Sequence, residues 1–203
     1  ADYTLMAIGV RANVENIGLD KIGMELDSGW IKVNGDYETN VSGVYAIGDV
    51  IGNPCLAHVA SAEGVHAVEK IAGQNPPPVN YEAIPACTYC KPQVASVGLT
   101  EKKAIEKGLE IAVGKFHFRA NGKSLASGEF DGFVKVIFDS KTDQLIGAHI
   151  IGSEATELIP ELTLAITNKM TFDELKNSIH AHPTLSEAVK EAIHDAYGEA
   201  IHK

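Results

Sequence analysis

Two histidines and a carboxylate stand close together near the C-terminal end, in His180-Ala-His182-Pro-Thr-Leu-Ser-Glu187. An imidazole takes up and releases protons near neutral pH. A carboxylate bonded to its ring orients it and stabilises the imidazolium that forms, so His182 with Glu187 could act as an acid/base pair. A plainer reading uses the same letters. Thr184-x-x-Glu187 is the T-x-x-E pattern of a capping box, in which the glutamate reaches back to the backbone of Thr184. The residues alone leave both readings open, and in an arbitrary chain the cap is the commoner outcome. His180-x-His182 with Glu187 has metal-ligand types but no further ligand at a fitting spacing, so no metal is expected. Ser186 lacks the G-x-S-x-G turn that exposes a hydrolase nucleophile. His180 is given no chemical role.

Cys87-Thr-Tyr-Cys90 has the spacing of a redox dithiol. Such dithiols open a helix, whose N-terminus lowers the first thiol's pKa. Here the flanks read as strand and turn, and two incidental thiols are expected. A zinc site would want a second pair, which the sequence lacks. With Cys55 the cysteines number three, too few and odd for a disulfide framework. A reducing compartment is expected, bacterial cytoplasm or mitochondrial matrix.

The rest of the composition bounds the function. The formal net charge of -10, with 27 acidic against 17 basic side chains, argues against nucleic-acid or anionic-membrane surfaces. No apolar run nears the roughly 20 residues of a membrane span. Apolar residues at 45% and charged residues at 22% suit a folded domain with a real core.

The elements that must position these residues follow from periodicity. Leu5 to Gly9 reads as a short buried strand, with no lead-in loop before it, and the chain is expected to be a piece of a longer one. Gly29 to Val33 and Val44 to Asp49 read as further strands. Apolar residues recurring from Ala57 to Ala72 predict a helix closed by Gly73. Pro76-Pro77-Pro78 can continue neither helix nor central strand, so residues 76–83 are taken as a linker between segments 1–75 and 84–203. Beyond it, Val94 to Val97, Ile111 to Phe118, Gly132 to Phe138 and Leu145 to Ile151 read as strands. Thr100 reads as the N-cap of a short helix to about Lys107. Helices are predicted over Glu154 to Asn168, Phe172 to Ile179 and Thr184 to Tyr197. Strands first and helices after predict an α+β domain on an antiparallel sheet.

The wider motifs carry a resemblance. Thr39-Asn-Val-Ser-Gly-Val44-Tyr45-Ala46-Ile47-Gly48-Asp49 resembles the second FAD-binding motif of the pyridine nucleotide-disulfide oxidoreductases, T-x-x-x-x-V-Y-A-x-G-D. Cys55-Leu56-Ala57-His58 is similar to the family's M-L-A-H, with Cys for Met. Ala7-Ile8-Gly9-Val10-Arg11-Ala12-Asn13 resembles A-x-G-R-x-P-N, with Val10 and Ala12 departing from it. Tyr89-Cys-Lys-Pro92-Gln93-Val94-Ala95-Ser96-Val97-Gly98 is similar to the opening of the family's dimerisation domain, with Gln93 where glutamate is usual. The His-Ala-His-Pro-Thr-Leu-Ser-Glu segment carries the family's acid/base histidine and leans toward the branch that oxidises dihydrolipoamide.

The resemblance implies the remnant of a central FAD- and NAD-linked domain followed by an interface domain of antiparallel sheet and helices. It implies that His182 is the base and Glu187 its partner. It implies that Asp49, Cys55, Leu56, Ala57 and His58 face FAD, and that Gly9 lies toward NAD. The partners implied are a second copy of the chain, lipoyl domains and the E2 component of 2-oxoacid dehydrogenase complexes. The family's glycine-rich FAD motif and C-x-x-x-x-C pair are absent from this sequence. This chain by itself is therefore expected to hold FAD weakly or not at all, and an inactive dimerisation module or another reductase of the family stands as the alternative.

Overall fold

Alternating apolar residues in four of the expected strands, and a fifth, build one antiparallel sheet. In the computed structural model, which describes residues 1–52 and 54–202, the chain forms two compact units, Ala1–Val79 and Asn80–Lys203. The second unit carries β3 (Ala86–Thr88), β4 (Gln93–Gly98), β5 (Ile111–His117), β6 (Phe133–Asp139) and β7 (Leu145–Gly152). Their order is β3-β4-β7-β6-β5, every neighbour antiparallel. The inner face presents Ala95, Val97, Phe116, Val134, Val136, Phe138, Ala148 and Ile150, all buried. The successive i, i+2 positions are what a period of two demands.

Helices cover that face. They are α4 (Ala155–Thr167), α5 (Phe172–Lys176) and α6 (Glu187–Asp195), with the shorter α2 (Glu101–Glu106) and α3 (Gly122–Ser127) between strands. Helix α4 buries Ala155, Ile159, Leu162 and Ala165 over β4 and β7. Helix α6 buries Ala188, Val189, Ala192 and Ile193 over β5 and β6. Each such large aliphatic side chain taken out of water contributes about 1.5–3 kcal/mol. Thr100 caps α2 as expected, its hydroxyl accepting the Lys103 N–H at 3.2 Å. The fold class is the α+β arrangement read from the sequence. No helix among the described residues is long and apolar enough to cross a membrane.

Two helices are shorter than their periodicity implied: α5 stops at Lys176 and α6 starts at Glu187 rather than Thr184. The ten residues between them form the loop that carries both histidines.

The first unit is sparser. Strands β1 (Leu26–Asp27) and β2 (Trp30–Ile31) make a short hairpin, and α1 spans Ala57–Ile71. Val44 to Asp49 does not form the expected strand. Its ladder is a single bridge, Glu38 to Tyr45, and Gly48 at φ 71° turns the chain into a 3₁₀ turn, Gly48–Ile51. Leu5 to Gly9 has no strand partner among the described residues, and Leu5 and Ile8 stand exposed. Helix α1 buries Val59, Glu63, His66 and Ala67 and leaves Val65, Val68 and Ile71 open, against its apolar pattern. Polar bonds explain that choice. Glu63 Oε2 accepts the Gly48 N–H at 2.7 Å, and His66 lies 3.0 Å from Asp36 Oδ1 and 3.1 Å from the Pro77 carbonyl.

One contact in the second unit sets where α6 lies. A Cβ on Gly114 of β5 would overlap the Ala192 carbonyl oxygen and sit 2.5 Å from the Ala196 nitrogen. The helix backbone therefore rests directly on the strand. Asp195 Oδ2 adds a bond from the Lys115 N–H at 2.9 Å. Gly114→Ala should lower the urea midpoint, corresponding to a cost of about 1–3 kcal/mol from overpacking, with the m-value unchanged. An unaltered midpoint would show that α6 can slide without penalty.

Candidate active site

The loop between α5 and α6 hangs from three anchors. At its far end, the Thr184 N–H donates to Glu187 Oε2 at 2.9 Å. The Thr184 carbonyl accepts from Asn121 Nδ2 at 3.0 Å. Asn121 is itself buried, because its Oδ1 caps α3 by accepting the Ser124 N–H at 2.9 Å. At the near end, His180 Nε2 meets Glu161 Oε1 of α4 at 2.7 Å. The His182–Pro183 peptide lies between and is cis.

Glu187 serves both of the roles its spacing allowed. Its Oε2 takes the Thr184 N–H and its Oε1 lies 2.9 Å from His182 Nδ1. The capping box is only half formed. The Thr184 hydroxyl donates to the Ala181 carbonyl at 2.7 Å and pairs with Ser186 Oγ at 2.9 Å instead of accepting an N–H of the helix. The Thr184 N–H and the His182 ring hold the Glu187 carboxyl below its usual range. An ionised carboxylate can only accept, so His182 Nδ1 is the donor, and in the neutral ring Nε2 then carries the lone pair. The ring is 77% exposed and Glu187 only 27%.

His182 and Glu187 line a cavity of about 460 Å³ with Asn121, His180, Lys190 and His202. The chain's end forms part of its rim. Buried Glu191 of α6 accepts the Ile201 and His202 N–H groups at 3.1 and 3.2 Å, and its Oε1 lies 2.8 Å from His202 Nδ1. Among the described residues no group of His, Cys, Asp and Glu could hold a metal ion. The Cys87 thiol sits on β3, raised in pKa by burial, and Cys90 is exposed in the loop after it. Neither opens a helix.

The remaining candidate residues lie in the first unit. Asp49 is exposed within the 3₁₀ turn, Leu56 is the N-cap of α1, and Ala57 and His58 are exposed on its first turn. The Cys55 thiol donates to the Gly52 carbonyl at 3.6 Å. Gly9 lies in an exposed stretch without regular structure, at φ 128°. Among the described residues no side chain caps the N-terminus of α1, and the positive end of its dipole favours an anionic or carbonyl ligand there. Gly48 meets a packing need. A Cβ there would come 2.9 Å from the Ala60 Cβ, so glycine lets the turn pack on α1.

Sequence reasoning missed Asn121, Glu161 and Glu191. Asn121 lies 63 residues from the group it holds, Glu161 19 from His180, and Glu191 reads as an ordinary helix-face charge.

Depression of the Glu187 pKa gives a signed expectation. The stability it adds is present above its ordinary value of 4.5 and is lost as pH falls through the lower folded value. Urea denaturation of the wild type and Glu187→Gln across the acid range should show a stability difference that is full above that point and closes below it. A difference independent of pH would mean that the carboxylate charge contributes nothing.

The chain is similar to known proteins along nearly its whole length. A dihydrolipoyl dehydrogenase of Rhizobium etli is 54% identical over 202 residues, covering 99% of this chain and 42% of that protein. One from Bacillus subtilis is 48% identical over 202 residues, covering 100% of this chain and 43% of that protein. The chain thus spans less than half the length of the curated relatives it matches. The crystal structure of LpdA from Mycobacterium tuberculosis has a TM-score of 0.87 at 29% identity, covering 93% of this chain and 41% of that one. The flavoprotein disulfide reductase RclA of Escherichia coli has a TM-score of 0.87 at 21% identity, covering 92% of this chain and 43% of that one, a likeness of fold alone. Residues 1–64 match the pyridine nucleotide-disulphide oxidoreductase profile. Residues 84–193, more than half the chain, match that family's dimerisation domain, and the chain belongs to the pyridine nucleotide-disulphide oxidoreductase family.

Proposed function

We propose that this chain works as the C-terminal part of a dihydrolipoyl dehydrogenase, with His182 as the acid/base of dithiol–disulfide interchange. The observation that carries the reading is the 2.9 Å bond from His182 Nδ1 to Glu187 on an otherwise exposed ring. Attack on a disulfide needs a thiolate. A dihydrolipoyl thiol entering the cavity gives its proton to His182 Nε2 and becomes the nucleophile. Its sulfur bonds to one sulfur of an enzyme disulfide and the other leaves as thiolate. Glu187 keeps the ring in the accepting tautomer and offsets the charge of the imidazolium. The proton returns from Nε2 when the reaction runs backward.

The partners follow from the same reading. They are lipoyl domains on the E2 component of 2-oxoacid dehydrogenase complexes, and a second copy of the chain. Bound FAD and NAD would carry the electrons away from the disulfide. Asp49 offers a carboxylate to the ribityl hydroxyls. The start of α1 at Leu56, Ala57 and His58, with Cys55 before it, turns the positive end of the helix dipole to the flavin's pyrimidine edge. Gly9 lies toward NAD. For the homodimer the support is the dimerisation-domain match and Ile179, next to His180, whose side chain is 97% exposed. A two-fold contact over this edge of the site would cover that side chain in both copies.

In the full-length enzyme carrying this segment, His182→Gln should lower dihydrolipoamide oxidation by at least about 10²-fold and leave NADH-to-dye electron transfer intact. Dye reduction needs no thiol proton acceptor. Equal loss of both would make His182 structural. Separately, light scattering of this chain at micromolar concentration should give twice the chain mass, and Ile179→Asp should shift it toward the monomer. A monomeric wild type would refute the homodimer.

A further inference from the structure

The His180 side chain is buried beside the site, and the acid/base reading leaves it unused. Its side chain is 7% exposed. Nε2 is bound to Glu161 Oε1 at 2.7 Å, and Nδ1 is buried with the Ser178 backbone as its looser neighbour. Burying an imidazole costs free energy that an aliphatic side chain of like volume would not incur. The cost is offset only where a partner is held in place, and Glu161 supplies one from the middle of a helix whose opposite face is core. The Glu161 carboxylate raises the His180 pKa against burial and against Lys190, so charge reinforces the bond.

The position of this bond along the chain gives it a consequence. His182 lies midway between two tethered points, two residues after His180 and two before Thr184. Thr184 is fastened through both its backbone groups, to Asn121 and to Glu187. On the other side, the hydrogen bond that fastens the loop before His182 to α4 is the one His180 makes to Glu161. With both points fixed, only the side-chain torsions of His182 remain to be set, and the single bond to Glu187 Oε1 suffices. With the near point released, the Ala181 carbonyl keeps its bond from the Thr184 hydroxyl, but the segment before it loses its tie to α4 and the His182 backbone is held from one side only.

We infer that Glu161 and His180 are positioning residues for His182: their buried bond fixes the near end of the loop, so that the His182 ring stays on Glu187 in the tautomer that leaves Nε2 unprotonated. The inference rests on the acid/base reading for its bearing on catalysis, but the tautomer itself can be measured without any turnover.

The test is nitrogen-15 NMR of the histidine rings in this 203-residue chain, above the pH at which His182 titrates. In the wild type, His182 should show an N–H-type signal at Nδ1 and a bare-nitrogen signal at Nε2. His180→Leu fills the same space without the bond. It should move His182 to the mixed tautomers of free imidazole while the amide spectrum of β5 to β7 stays native. Glu161→Ala, made at a side chain one-third exposed, should do the same and serves if His180→Leu fails to fold. His180→Gln keeps a donor toward Glu161 and should restore the Nδ1–H form. In the full-length enzyme, His180→Leu should lower kcat for dihydrolipoamide by on the order of 10- to 100-fold, with dye reduction spared. A folded His180→Leu or Glu161→Ala chain that retains the wild-type tautomer overturns the inference. If His182→Gln proves fully active, the acid/base reading falls, and the tautomer result still decides whether the anchor positions the ring.

Discussion

The site depends on one carboxylate that has to do two things. Glu187 gives one oxygen to the Thr184 N–H and the other to His182 Nδ1. It can do so because it stands in the first turn of α6, where exposed N–H groups and the helix dipole favour negative charge. Ionisation of Glu187 decides which ring nitrogen of His182 carries the proton, and hence which one can accept another. The position of α6 is set in turn by backbone-to-backbone contact at Gly114, where the strand has no side chain to hold the helix away. A missing methyl group on β5 and a lone pair on His182 are thus linked through one helix start.

Much of this arrangement was legible in the sequence. The alternation in β4 to β7 and the three- and four-residue spacing in α4 and α6 report burial, and burial is local in pattern even when the contacts are distant. Thr39 to Asp49 and His180 to Glu187 were legible as family motifs. What stayed hidden were polar groups whose partners lie far along the chain. Asn121 looks like a turn residue, and it does cap α3, but its amide hydrogens point to a carbonyl in a loop beyond the next two strands. Glu161 looks like any solvent-facing helix charge. No periodicity distinguishes a glutamate that meets a buried histidine from one that meets water.

The first unit shows the opposite failure, where apolar pattern misled. Val65, Val68 and Ile71 follow the spacing that normally marks a core face, and they are exposed, while Glu63 and His66 are buried. Within this unit the strongest demands on α1 are polar: a backbone N–H at Gly48 and a carboxylate at Asp36. A buried carboxylate or imidazole without its partner is costly, so Glu63 and His66 face the groups that bond them. Periodicity measures the apolar term alone, so it marks the helix without reporting the polar groups the helix buries.

The pattern T-x-x-E occurs twice in the second unit, and the contrast explains why it was ambiguous. At Thr171–Glu174, one carboxylate oxygen, Oε2, takes both the Thr171 N–H at 2.7 Å and its hydroxyl at 2.9 Å. The box is complete and the helix starts at the next residue. At Thr184–Glu187 the hydroxyl has turned to the Ala181 carbonyl, and the carboxylate has split its oxygens between backbone and imidazole. The helix starts three residues later, at Glu187 itself. The difference lies in the residues before the threonine, not in the motif. Thr171 follows Met170, whose carbonyl accepts the Leu145 N–H and ties that end to the sheet. Thr184 follows a loop that carries an imidazole within reach of the same glutamate. A capping glutamate has one oxygen to spare, and a histidine two residues before the threonine is what claims it here.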